Sequence, residues 1–452
     1  MTKLQQALVT MNSFSLGIIL PVLNLVLLER GASLQTLPIL MAIYAVTVLA
    51  LELPSGVCAD LYGRKTVFLI SCGFQIISLI LLIFSNNIVL LVFVVIFNGL
   101  SRAFSSGSLD ALIIDQTLAL YGDSCLAKVT SRLAILEGSG LAAGGIAGGF
   151  ISYLYGSYFS NLILRIFFTA VIFILCFIYM KESVVLAERE ETISLFIHLK
   201  KGWEIIVSAP LLRYIFAGVF FVGFFLITIE TYWQPAFINL SSASDRTWVL
   251  GIITFLGFLA AAAGNSISQK ILDKFSNYHW CIYNIFRFIL AIGILIFAVQ
   301  QSSIGFILGY AGIYFMLGAG NVSENTLVNQ VTPSHMRASL LSLISFITQL
   351  GVMCASVFSS IMIKRLHFTG LWMITGLLLG GYVLITASVT YLKRGLLFGK
   401  VVKELQQDNS CEIEDSLQPG NELAHHMVKM PGEIEDKDEL TEKARADYEY
   451  KV

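Results

Sequence analysis

Residues 52–65 read Glu52-Leu53-Pro54-Ser55-Gly56-Val57-Cys58-Ala59-Asp60-Leu61-Tyr62-Gly63-Arg64-Lys65. This polar stretch joins two apolar runs, 37–58 and 67–84. Each run is about long enough to cross roughly 30 Å of hydrocarbon at about 1.5 Å per helical residue. Within the loop, Gly56 and Gly63 permit a tight turn and close helix approach, Asp60 can cap a neighbouring helix N-terminus, and Arg64 can pair with a carboxylate. Contacts of that kind form a latch that two conformations can make or break.

Outward from this loop the same alternation continues. Apolar runs at 9–28, 37–58, 67–84, 88–112, 131–154 and 162–180 are followed by 211–237, 248–271, 280–299, 304–331, 338–363 and 369–392, about twelve spans in all. With 56% hydrophobic and only 13% charged residues, and a mean hydropathy of +0.78, the composition is that of a polytopic membrane protein, since soluble domains carry roughly 25% charge. The first run follows Met1-Thr2-Lys3, shows no small-residue cleavage site before Glu29 and Arg30, and reads as a retained span. The seven cysteines are scattered, without the spacing of a metal knuckle or redox pair.

The expected organisation is a first group of six helices over 1–182, a polar linker over 183–210, a second six over 211–394 and an acidic tail over 395–452. From Glu404 onward fourteen acidic residues face five basic ones, so a formal net charge of −1 conceals about +8 on the rest. Such a tail reads as disordered. Basic residues cluster on one set of alternate loops, among them Lys3, Arg64, Lys65, Lys128, Arg132, Lys181, Lys200, Lys201, Lys270, Lys274 and Arg337, against Arg30, Arg246, Lys364 and Arg365 on the other, with Arg165 near it. By the positive-inside rule both termini, the linker and the tail are cytoplasmic, in a multi-pass protein expected in the cell membrane.

The Gly-x-x-x-Asp-x-x-Gly-Arg-Lys core of the opening stretch, Gly56 to Lys65, resembles the signature loop of the major facilitator superfamily, all five positions falling in register. The resemblance implies an all-α fold of twelve transmembrane helices in two six-helix bundles. It also implies that the loop, through Gly56, Asp60, Gly63, Arg64 and Lys65, gates one side, with Asp115 and the segment around Ala338-Ser339 as expected partners. In the second half, Gly264 to Lys274 keeps the leading glycine and a basic end but carries Ser268 at the aspartate position, as a decayed repeat would. Gly138, Gly140, Gly144, Gly145, Gly148 and Gly149 make small faces at three- and four-residue spacing. That run is similar to the glycine-rich fifth helix of the drug/proton antiporter branch, although Ile146 stands where the Gly-Pro pair would continue.

Charges inside spans are costly and therefore informative. They are Glu52, Arg102, Asp110, Glu137, Glu230, Arg287 and Glu324. The first, fourth, seventh and tenth helices of the resembled fold line its cavity, which singles out Arg102, Asp110, Glu230 and Glu324. Arg102, Ser106 and Asp110 follow at four-residue steps, and Asp115 turns away from them. Glu230 lies near mid-membrane with no basic residue within two turns and is the first candidate to carry a coupling proton, followed by Glu324 and Asp110. Cavity candidates are Arg102, Tyr232, Trp233, Tyr314 and Asn325, within an aromatic set that includes Tyr44, Phe104, Tyr310 and Phe315.

These features point to a secondary transporter, expected as a monomer, exporting amphipathic small molecules in exchange for protons. Proton-coupled uptake of a small polar or anionic solute, with Arg102 as the clamp, is the alternative, and a transporter-derived sensor is a third reading. The chain carries no clustered metal ligands, no Ser/His/Asp arrangement and no phosphate-binding Gly-Lys loop, so neither an enzyme nor a cofactor is expected. Its expected partners are a small-molecule substrate, protons and the lipid bilayer, with no nucleic acid.

Overall fold

The computed structural model describes residues 1–106, 108–122, 125–182, 210–241, 247–332 and 337–392. They form α1 (Lys3–Ile19), α2 (Leu23–Glu29), α3 (Thr36–Tyr62), α4 (Arg64–Phe84), α5 (Ile88–Ser105), α6 (Ser108–Tyr121), α7 (Leu126–Tyr155) and α8 (Phe159–Tyr179). There follow α9 (Pro210–Ser241), α10 (Thr247–Lys274), α11 (His279–Ala298), α12 (Ser303–Val331) and α13 (Arg337–Leu392). Among the described residues nine helices are long and apolar enough to cross a membrane, or ten if the bent pair α1 and α2 is one span. The expected linker and tail lie outside the described residues, Pro210 excepted.

Each expected apolar run falls on helix, but four run differently from a straight rod. The first is broken between Ile19 and Leu23 with a bend of 47°, where Pro21 supplies no backbone N–H. The last two merge into α13, interrupted at His367, whose φ of 53° and ψ of −172° are not helical. The fourth breaks at Ser106, with φ −60° and ψ 119°, so Arg102, Ser106 and Asp110 do not share one continuous helix face.

The glycines of α7 are packing devices on two sides. A side-chain carbon at Gly140, Gly144 or Gly148 would run into the backbone oxygen of Thr10, Phe14 or Ile18 of α1, while one at Gly145 or Gly149 would meet Thr254 or Gly251 of α10. Small residues let helices close to backbone contact where the membrane offers no hydrophobic drive. Asn161 of α8 ties the same corner together, donating from Nδ2 to the carbonyls of Ile18 at 3.0 Å and Gly148 at 2.8 Å. Ser268, at the aspartate position of the decayed repeat, serves packing as well, donating to the Ala319 carbonyl at 2.8 Å.

Contacts between the first eight helices and the last five concentrate toward one end. Asn24 of α2 donates from its backbone N–H to Gln234 Oε1 at 2.9 Å and from Nδ2 to the Glu230 carbonyl at 2.7 Å. Gln234 Nε2 in turn donates to the Leu20 carbonyl at 2.6 Å, and Tyr232 donates to the Leu34 carbonyl at 2.9 Å. Toward the other end, which carries the loop at Gly63, neither Gly56 nor Gly138 has a neighbour within 4 Å of a built side-chain carbon. Val57, Leu61 and Ile135 are exposed there. Among the described residues the helices are thus closed at the Asn24 end and parted at the Gly63 end.

Candidate functional site

Gly63 holds the turn between α3 and α4 at φ 91°, a left-handed conformation that glycine adopts at no steric cost. Beside it Arg64 Nη1 sits 2.7 Å from Asp115 Oδ2 of α6. Lys65 donates from Nζ to the Phe177 carbonyl at 2.9 Å. The start of α4 is capped by Glu182, whose carboxylate accepts from the backbone N–H groups of Lys65 at 2.9 Å and Thr66 at 3.2 Å. An anion there also complements the positive end of the helix dipole. The side chains of Asp60, Ala338 and Ser339 lie outside those described.

Inside the first eight helices is a cavity of about 620 Å³, to which every one of α1 to α8 contributes. Its charged lining is Arg102, Asp110, Glu137 and Arg165, with Asn12, Tyr44, Gln75 and Asn98 as polar neighbours. That volume falls in the range of roughly 300–1,000 Å³ for small-molecule sites. Arg102 and Ser106 are exposed and Arg165 is buried, so the chamber runs from an open mouth to an enclosed base. Despite the break at Ser106, Arg102, Ser106 and Asp110 all reach its wall. Glu137, from the glycine-rich α7, has Asp110 and Arg102 as the charged groups acting on it.

The remaining sequence candidates lie elsewhere. Tyr232 and Trp233 are 0% and 2% exposed, and pack against Phe368 and Tyr310 at ring separations of 5.7 and 4.9 Å. Their bulk and apolar surroundings make them core residues and not cavity walls. Tyr314 packs against Tyr310 at a ring separation of 4.6 Å and a tilt of 32°, and Asn325 is exposed. Glu324 is not a free acid, for its Oε2 accepts from Arg287 Nη2 at 2.7 Å, both side chains being buried. Glu230 is half-buried beside the Asn24 seam and is absent from the two ion pairs found among the described residues. None of these six lines the 620 Å³ chamber.

Sequence reasoning did not assign Glu137 and Arg165 to a site. Glu137 was visible as a charge in a span, but its placement opposite Asp110 depends on how α6 and α7 pack. Arg165, grouped with loop residues by its nearness to a helix end, is 6% exposed and donates to Gln75 Oε1 at 3.0 Å. No described group of three or more His, Cys, Asp or Glu side chains could hold a metal ion.

The sequence model of the Major Facilitator Superfamily matches residues 7–336, which include the Gly56 to Lys65 loop and the residues that line the chamber. The chain belongs to the major facilitator superfamily. Among curated members of the superfamily it is 27% identical over 259 residues to an uncharacterized MFS-type transporter, YxaM, of Bacillus subtilis, covering 56% of this chain and 61% of that one. It is also 27% identical over 282 residues to the multi-drug resistance efflux pump PmrA of Streptococcus pneumoniae, covering 62% and 67%. The match thus spans about three-fifths of the first relative's length. Among solved structures, the nucleoside transporter NupG superposes with a TM-score of 0.69 at 14% identity, covering 86% of this chain and 99% of that one. A bacterial homolog of the human lysosomal transporter Spinster, inward-facing and unoccupied, gives 0.66 at 11%, covering 86% and 95%. Such identities establish a shared fold, that of a chain with many helices long and apolar enough to cross a membrane.

Proposed function

We propose that this transporter exports amphipathic small molecules in exchange for protons, cargo and proton using the chamber between α1 and α8. The observation that carries the reading is the meeting of Asp110 and Glu137 in the wall of that chamber, with Arg102 beside them. Carboxyl groups inside a membrane mark proton paths, and a proton path through the cargo chamber lets one occupant displace the other. The partial likeness to an efflux pump supports export. The basic loops support a cytoplasmic Gly63 end, which makes the described state one that loads cargo from inside.

In this scheme the Arg64–Asp115 pair belongs to the gate and Glu230, at the opposite seam, is a second coupling acid that meets the other side when the Asn24 contacts part. A ligand drives such a change only through its differential affinity for the two states. Uptake of a small anionic solute by proton symport is the second reading, favoured by the arginines in the chamber, Arg102 and Arg165.

Accumulation of cationic ethidium and anionic fluorescein in cells with and without the protein tests the choice. Export predicts lower accumulation of at least one dye in cells that make the protein, with the difference abolished by a protonophore. Higher, protonophore-sensitive accumulation would select uptake, and a difference that survives the protonophore would overturn proton coupling.

A further inference from the structure

The charges of the chamber are unevenly matched. At its mouth Arg102 stands near Glu137, which is itself beside Asp110. At its base Arg165 has, among the described residues, Tyr44 as the titratable group acting on it. Its hydrogen bond from Nη2 to Gln75 Oε1 at 3.0 Å uses one of the five N–H donors of a guanidinium. Gln75 Oε1 is already shared, accepting from the Ser101 hydroxyl at 3.4 Å. The two ion pairs among the described residues, Arg64–Asp115 and Arg287–Glu324, leave Arg165 without a carboxylate.

The comparison with Arg287 sharpens the point. Both arginines are buried, at 0% and 6% exposure, yet the fold supplies Arg287 with Glu324 and supplies Arg165 with a neutral amide and an open chamber. An uncompensated charge held inside a protein costs several kcal/mol. Packing alone does not call for one, because an apolar side chain would fill the same space. What a guanidinium adds is a planar fork that matches a carboxylate or sulfonate oxygen pair. The rest of the chamber supplies an apolar lining, including Ile19, Leu23, Leu79 and Val95.

We infer that Arg165, positioned by Gln75 at the enclosed base of the chamber, is the docking point for the anionic group of the cargo, so that the transported class is a small amphipathic anion with an apolar body. The inference rests on the transport reading for its meaning, but the site itself is a matter of binding. Anion recognition at Arg165 and the acid pair at Asp110 and Glu137 are separate parts of one chamber. A molecule spanning it would meet cation at the base and exchangeable proton at the mouth.

The test uses the full chain in nanodiscs of phosphatidylcholine alone, so that no anionic lipid competes, and measures equilibrium binding of 2-naphthoate against its neutral isostere 2-naphthamide. Wild-type protein should prefer the anion by about tenfold or more, the scale of a hydrogen bond to a charged group. Arg165→Gln should bring the ratio near one, and Arg165→Lys should keep part of it. Phosphatidylglycerol added to the nanodisc should leave the preference in place; its loss would assign the site to a lipid headgroup and overturn the cargo inference. Equal binding of the two probes by wild-type protein, or binding of neither, would overturn it without recourse to any variant. Preference for 2-naphthoate that survives in Arg165→Gln would do the same. Should dye export prove independent of the proton gradient while the Arg165-dependent preference holds, the coupling reading falls and the anion site stands.

Discussion

Arg287 of α11 donates from Nη2 to Glu324 of α12 at 2.7 Å, and a side-chain carbon at Gly320, one turn before Glu324, would press on the same guanidinium. The pair therefore needs both the acid and the missing side chain at 320. Asn321 Oδ1 accepts a further bond from Nη2 at 3.0 Å. Removing one partner of a buried pair costs about 3–5 kcal/mol because the other charge is left uncompensated. Arg287→Ala should accordingly lower the thermal transition of the solubilised protein sharply, and Arg287→Ala with Glu324→Gln should recover part of the loss. Equal stability of the single and double variants would show that the pair is not structural.

The Arg64–Asp115 pair, proposed as part of a gate, behaves differently. Arg64 and Asp115 are 31% and 22% exposed, and partly exposed ion pairs contribute about 0–1 kcal/mol. Arg64→Ala should leave yield and melting nearly unchanged while slowing turnover more than it weakens cargo binding. The exchange Arg64→Asp with Asp115→Arg should restore part of the rate. A fall in affinity as large as the fall in rate would place these residues at the cargo site and not at the gate.

Two glycines of one helix should respond in opposite ways. At Gly148 a methyl would meet the Ile18 carbonyl and the backbone carbons beside it, whereas at Gly138 it would meet nothing within 4 Å. Overpacking costs about 1–3 kcal/mol, while alanine gains up to about 1 kcal/mol over glycine in a helix interior. Gly148→Ala should reduce the monodisperse fraction in size-exclusion chromatography and Gly138→Ala should not. If both are tolerated equally, α7 does not hold α1 by backbone contact.

How much of this could be read from the chain follows from the range of each interaction. Apolar length marked every helix, and the spacing of the glycines from Gly140 to Gly149 gave the two close faces of α7, because both signals are local and periodic. The turn at Gly63 was equally local. The break at Ser106 was not, since Ser106-Gly107 resembles many continuous helical pairs. Nor could sequence join Glu324 to Arg287, 37 positions away on another helix, or turn Glu137 and Arg165 toward one chamber. Tyr232 and Trp233 went to the core because large aromatic side chains suit cavity walls and helix interfaces equally, and only packing decides between them.

Glu230 carries the second coupling prediction. Its backbone carbonyl holds Asn24 across the closed end, so opening that end changes the surroundings of its carboxyl. Glu230→Gln keeps the shape and removes the exchangeable proton. Uphill transport in proteoliposomes should fall while cargo counterflow continues. A variant that concentrates cargo as the parent does would remove Glu230 from the cycle and leave coupling to Asp110 and Glu137.

The most direct measurement is proton and cargo flux in proteoliposomes holding the double variant Asp110→Asn with Glu137→Gln, read with an interior pH dye under an imposed pH gradient. The acid pair lining the chamber is the centre of the account. Counterflow of cargo without a gradient should persist, gradient-driven accumulation should fall to the level of empty vesicles, and cargo should no longer move protons. Cargo-dependent proton flux in the double variant equal to that of the parent would contradict the account.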